Sequence, residues 1–195
     1  MVKMPEFISG FSQVEYLTIF YTILFGVIAS EYFVGWGNMF RQRDKVKVYW
    51  LHMSWSVFTF LTLIQNWFGI WPRMVYINHN ILYFYYGLVP MFLFYLITVV
   101  LFPSAESGGK VDYSLHYFKN SRAFFILFAI YMATAITSSL VYEDHGNVLA
   151  QNIIRGVGIS LSIAAAYYNR NFWLHAGILL VGYLSLFQFL FFIPK

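Results

Sequence analysis

The sequence predicts an all-α integral membrane protein: one bundle of six transmembrane helices, with a short interfacial helix before the fourth. Three observations predict it. Hydrophobic residues fill 60% of the 195 positions and charged residues 10%, against roughly one half and one quarter in soluble domains. Six apolar runs reach the length of about 20 residues that a bilayer crossing needs. Basic residues collect in a few short connections instead of forming a continuous stripe.

The first run spans about 16–40 and holds one charged residue, Glu31. The segment before it, "MVKMPEFISGFS", carries an acid and a proline and leads into a long apolar run without a small-residue cleavage site, so no signal peptide is expected. The second run (48–70), third (80–102), fourth (123–142) and sixth (171–194) contain no Asp, Glu, Lys or Arg, and the fifth (148–169) contains only Arg155. These six account for nearly the whole chain, which therefore reads as a single transmembrane domain over 1–195. Pro90, inside the third run, should kink that helix and free a carbonyl for a neighbour to satisfy. The small residues of "ATAITSS", from Ala133 to Ser139, should let the fourth helix pack closely on the fifth.

The connection after the third run is the long one. Its second half, "DYSLHYFKNSRAFF", offers Asp112 as an N-cap and rings at Tyr113, Tyr117 and Phe118. That composition suits a helix lying on the leaflet before the fourth crossing, or an ordered loop that carries positive charge. Lys and Arg in short loops set orientation. Arg41, Arg43, Lys45, Lys47, Lys110, Lys119, Arg122 and Arg170 fall after the first, third and fifth helices, against Lys3, Arg73 and Lys195 on the opposite side. This bias places both termini outside and the odd-numbered connections in the cytoplasm.

Several function classes are excluded or disfavoured. Without cysteine there is no disulfide or thiolate chemistry. Basic residues without interleaved aromatics give no nucleic-acid stripe. No phosphate-binding loop, HExxH, GxSxG or Glu-x-x-His helix pattern occurs. No cofactor and no metal site are expected, because no two candidate ligands share a helix at ligating spacing.

Ionisable residues inside the apolar runs are the default functional candidates, since each costs a few kcal/mol or more at the bilayer centre unless paired or hydrated. Arg155 precedes Arg170 by 15 positions, which puts it about 22 Å from the inner end of the fifth helix. Gln151, Arg155, Gly158, Ser162 and Ala165 share one face, with Asn152 beside them. Gln65 and Asn66 of the second helix reach a similar depth. These residues form a candidate pore or ligand site, or else Arg155 snorkels to Glu143, Asp144 or headgroup phosphates. Glu31 lies roughly 15 Å from the other boundary, and His52 and His175 about 7 Å from it. The three make a candidate polar group on the cytoplasmic side, suited to proton transfer, pH sensing or a divalent metal. Haem would need His52 and His175 to face each other from neighbouring helices. The bland reading of each histidine is an imidazole hydrogen-bonded to nearby backbone.

The stretch "LFPSAESGGKVDYSLHYFKNSRAFF", Leu101 to Phe125, resembles a pattern in uncharacterised bacterial multi-pass inner-membrane proteins: a helix ending in Leu-Phe-Pro, a short acidic loop, then an aromatic stretch leading to Arg-x-Phe-Phe. The resemblance extends back through the first helix and "MFRQRDK". It implies a bacterial inner-membrane protein and carries over no catalytic residue.

The leading functional expectation is an oligomeric ion-conducting channel or membrane effector gated by a soluble cytoplasmic partner, which would contact Arg41, Arg43, Lys45, Lys47, Lys119 and Arg122. A ring of Arg155 at the outer mouth would then favour anions. The alternatives are a scaffold or sensor subunit of a complex, and a membrane enzyme or cofactor protein using Glu31, His52 and His175. The lipid bilayer and further copies of the chain are the expected partners.

Overall fold

The computed structural model describes residues 12–103, 110–142 and 148–191. Among them the chain is all-α apart from two strands of two residues each. In order, the elements are α1 (Gln13–Arg41), β1 (Val46–Lys47), α2 (Trp50–Ile70), a 3-10 turn (Trp71–Arg73), α3 (Met74–His79), α4 (Ile81–Leu101), β2 (Val111–Asp112), α5 (Tyr113–Val141), α6 (Val148–Tyr167) and α7 (Phe172–Phe191). The six expected crossings correspond to α1, α2, α4, α5, α6 and α7. The acidic turn at 143–147 and both chain ends, on which part of the orientation argument rests, lie outside the described residues.

Local chemistry sets the helix starts. Ser12 and Glu15 form a capping box at α1: the Ser12 hydroxyl accepts the Glu15 N–H at 3.2 Å, and the Glu15 carboxylate accepts the Ser12 N–H at 2.6 Å. Asn80 caps α4 by accepting the Leu82 N–H at 2.8 Å. The Asp112 carboxylate caps α5 by accepting from Ser114 at 2.8 Å and Leu115 at 3.3 Å.

This last cap starts a longer helix than expected. Among the described residues no separate interfacial helix precedes the fourth apolar run, because α5 runs unbroken from Tyr113 to Val141. The stretch from Tyr113 to Phe125 has no Gly or Pro to break it, and Tyr113, Tyr117, Ser121, Phe124 and Phe125 continue one buried face at helical spacing. The connection after α2 also differs from a plain loop. Pro72 enters the 3-10 turn near its start, where a missing N–H costs nothing, and α3 follows.

The two strands pair in parallel, with Val46 opposite Val111 and Lys47 opposite Asp112. A 3.0 Å ion pair joins Lys47 Nζ to Asp112 Oδ2 across them. This clip holds the start of α2 beside the start of α5.

The α2 helix is the hub of the bundle, with contacts to α1, α4, α5 and α7. Its Trp55 is fully buried, and its ring lies 5.1 to 5.9 Å from those of Phe58, Phe124, Phe125 and Phe128 in edge-on contacts. Close approach of α7 depends on Gly182, where a Cβ would meet Phe58 Cζ at 2.8 Å. The Tyr183 hydroxyl then donates to the Ser54 carbonyl at 2.9 Å. The most extensive helix pairing is α5 with α6, which run antiparallel.

Four helices, α1, α4, α5 and α6, are long and apolar enough to cross a membrane. The apolar stretch found in α7 is shorter, and α2 is not among the four. The central position of α2 explains its composition: His52, Ser56, Thr59 and Thr62 are buried against protein, so their polarity never meets the exterior. The outward faces carry apolar side chains such as Val27, Val34, Phe92, Val99, Ile130 and Leu184. Such a surface is compatible with a membrane location.

Candidate functional site

Two polar clusters lie at opposite ends of the bundle, separated by the aromatic layer around Trp55. The first sits beneath the strand clip. Here α2 supplies His52, α5 supplies His116, Tyr117 and Asn120, and α7 supplies His175. The two expected histidines, His52 and His175, are both fully buried, and helices α2 and α7 are neighbours. Tyr117 stands between them: its ring centroid is 6.5 Å from that of His52 and 5.6 Å from that of His175. Phe125 packs on His175 at 4.6 Å. With these rings in place, no gap of haem thickness separates the two imidazoles.

Each imidazole is oriented by backbone. His52 Nε2 donates to the Leu101 carbonyl at 2.8 Å and His116 Nε2 to the Val100 carbonyl at 3.2 Å. His175 Nε2 lies 3.4 Å from the Ala165 carbonyl, and its Nδ1 accepts the Tyr117 hydroxyl proton at 2.9 Å. Two of these bonds cap the free carbonyls in the last turn of α4. A small cavity opens here, lined by His52, Val100, Leu101, His116, Tyr117, Asn120, Ser121 and Phe124.

Glu31 is not part of this cluster. It is exposed on the outward face of α1, next to the fully buried Tyr32, and has no hydrogen-bond or ion-pair partner among the described residues. Among the described residues, no three or more His, Cys, Asp or Glu gather closely enough to hold a metal ion together.

The second cluster lies at the far end. Arg155 is half-buried and turns toward α5, donating through Nη1 to the Ala135 carbonyl at 3.1 Å and to Asn152 Oδ1 at 2.9 Å, and through Nη2 to Gln151 Oε1 at 3.4 Å. Asn152 completes the link by donating to Ser139 Oγ at 2.9 Å. A single guanidinium thus ties the last turns of α5 to the first turns of α6. The ring of Tyr131 on α5 is buried, its centroid 4.7 Å from that of Phe94. The guanidinium carbon of Arg73 lies 5.2 Å from the centre of the Tyr142 ring. A cleft beside it is lined by Asn66, Ile70, Arg73, Gly87, Pro90, Ser138 and Tyr142.

Arg155, Gln151, Asn152 and Asn66 therefore lie at one end of the bundle, while Gln65 is half-buried and outside the cleft. Ser162 is fully buried, and its hydroxyl has no partner among the described residues. The basic residues Arg41, Arg43, Lys45, Lys119 and Arg122 are all exposed at the clip end. Lys47, there too, is engaged by Asp112.

His116, Tyr117 and Asn120 are not among the candidates expected from sequence, where this stretch reads as a surface element. Their spacing from the buried Phe124 was the available signal. Tyr131 and Arg73 are also absent from those candidates, because their roles depend on which helices are neighbours. Compared with family models, curated proteins and solved structures, the chain matches none of them.

Proposed function

We propose that the chain is a six-crossing subunit of the bacterial inner membrane, with both termini outside, that works through assembly as a scaffold or sensor. The observation that carries this reading is the filled interior. Edge-on aromatic rings occupy the middle of the bundle, and the intramembrane arginine turns inward to satisfy a neighbouring helix. A conducting path through one chain would need an unfilled column of polar groups, and the two polar clusters are separated by rings from Trp55 to Phe128. Signals would enter at the exposed bases of the clip end, Arg41, Arg43, Lys45, Lys119 and Arg122, where a soluble cytoplasmic partner would dock.

The channel reading is retained in one form. Helix α6 is the least buried of the four long apolar helices, at 11% of its apolar window, and copies meeting along it would place Arg155 beside a shared path.

The test combines topology and flux. The sequence has no native cysteine, so single cysteines report sidedness cleanly. Lys45→Cys and Leu149→Cys should label from opposite faces of sealed vesicles, and labelling from the same face overturns the crossing pattern. Purified protein in liposomes should pass no ions. A conductance whose selectivity inverts in Arg155→Glu would replace the scaffold reading with the channel.

A further inference from the structure

Glu31 is the one acid and Arg155 the one base inside the six apolar runs. They stand on the two long apolar helices that the bundle covers least: 22% of the apolar window is buried in α1 and 11% in α6, against 39% in α4 and in α5. Helix α1 packs on α2, α3 and α4, whereas α6 packs on α5 and α7. The two uncovered faces, with their opposite charges, therefore belong to different sides of one chain.

Both helices finish at the clip end, α1 by leading into β1 and α6 through the Asn169 carbonyl, which accepts the Ser121 hydroxyl at 3.1 Å. They run in the same direction, so depths on each can be compared at about 1.5 Å per residue from Arg41 and Arg170. On α1, Thr22, Gly26 and Ser30 are exposed at a spacing of four and make a shallow groove, and no atom lies within 4 Å of a Cβ added at Gly26. They lie about 28, 22 and 16 Å from the end of the helix. On α6 the exposed Ile153 and Val157 lie about 25 and 19 Å from its end, so each falls between two of the small residues, as a ridge set into a groove.

Charge follows the same match. Glu31 and the exposed Ser160 both come at about 15 Å. A carboxylate on the outer face of a crossing helix is costly unless it is paired or hydrated. A neighbouring α6 offers it the Ser160 hydroxyl at its own level and the Arg155 charge about 7 Å further along, an attraction that a low-dielectric medium strengthens.

We propose that copies of this chain assemble head-to-tail, with the α1 face around Gly26 and Glu31 of one copy docked on the α6 face around Val157 of the next. The inference rests on the six-crossing reading and names the partner in its assembly. Because the two faces differ, every contact uses one of each, and blocking either face stops assembly.

The experiment uses the full chain, sized in detergent by light scattering and cross-linked in liposomes. Gly26→Leu and Val157→Trp, both at exposed positions, should each leave the chain monomeric. Mixed together, they should give dimers, since one intact pair of faces remains. Glu31→Lys should weaken assembly by about 10-fold or more, because it sets like charge beside Arg155. In the cysteine-free chain, Thr22→Cys and Ile153→Cys reconstituted together should cross-link about 10-fold more than either does with itself. Gly26→Leu should keep the thermal midpoint of the unaltered chain, which separates lost assembly from lost fold; where it does not, the cysteine pair decides. The proposal is overturned if the unaltered chain is monomeric at every concentration, if folded Gly26→Leu assembles as well as the unaltered chain, or if the two cysteines cross-link no better together than alone. Any of these failures leaves the crossing pattern standing, because the sidedness of Lys45→Cys and Leu149→Cys is read separately.

Discussion

Tyr117 and His175 share one proton across the contact between α5 and α7: the Tyr117 hydroxyl donates to His175 Nδ1 at 2.9 Å. Both side chains are buried, so neither has water as a substitute partner. Tyr117→Phe leaves the imidazole acceptor unmatched and should destabilise the bundle by about 1–3 kcal/mol, read as a lower thermal midpoint in detergent. An unchanged midpoint would show that water reaches Nδ1.

Arg155 should act as a staple between α5 and α6. Arg155→Met keeps the apolar stem but removes every donor, leaving the Ala135 carbonyl and the Asn152 amide to find other partners. The expected loss is about 1.5–3 kcal/mol, as for hydrogen bonds from a charged donor.

Two glycines should respond in opposite directions to alanine. At Gly182 the added methyl meets Phe58 at 2.8 Å, so Gly182→Ala should overpack the α2–α7 contact and cost about 1–3 kcal/mol. At Gly26 nothing lies within 4 Å. There Gly26→Ala should stabilise the monomer by about 0.4–1 kcal/mol through the unfolded chain and helix propensity. Melting the two variants side by side checks the sign.

The strand clip should be acid-sensitive. The Lys47 ammonium bonded to Asp112, helped by the cap N–H groups of Leu115 and Ser114, holds that carboxyl below its usual range. A group lowered in this way adds stability above its unfolded value and loses it as pH falls through the lowered folded value. Cross-linking between Val46→Cys and Val111→Cys should therefore be steady at neutral pH and fall in acid, and Asp112→Asn should remove that acid step. High salt should weaken the exposed pair.

The features legible in sequence were those coded by composition and period. Five of the six runs fall within a few residues of α1, α2, α4, α6 and α7, because charge-free length is read directly, whereas the fourth meets α5 at its end and misses its first ten residues. Asp112 was legible as a cap. What sequence hid was rotation and neighbourhood. In a helix that is apolar all round, periodicity does not say which side faces protein, so Glu31 looked like a companion of His52, whereas it is Tyr32 that turns inward. Lys119 and Arg122 disguised the first turns of α5 as a surface segment, although Tyr117 and Ser121 beside them are buried. His52 and His175 were matched in depth from their distances to Lys47 and Arg170. Only the packing of α7 on α2 through Gly182 shows that they face the same tyrosine.

The pairing of Val46 with Val111 and Lys47 with Asp112 has a mechanical corollary. Parallel strands cannot be joined by a tight turn, so everything between them, including α2, α3 and α4, is enclosed in a loop whose two ends are tied together. A force on the turn after α1 is therefore passed at once to the leading ends of both α2 and α5. The wall of the histidine cavity hangs from those same ends, so a molecule gripping Arg43 or Lys45 has a lever on the interior while touching only exposed side chains.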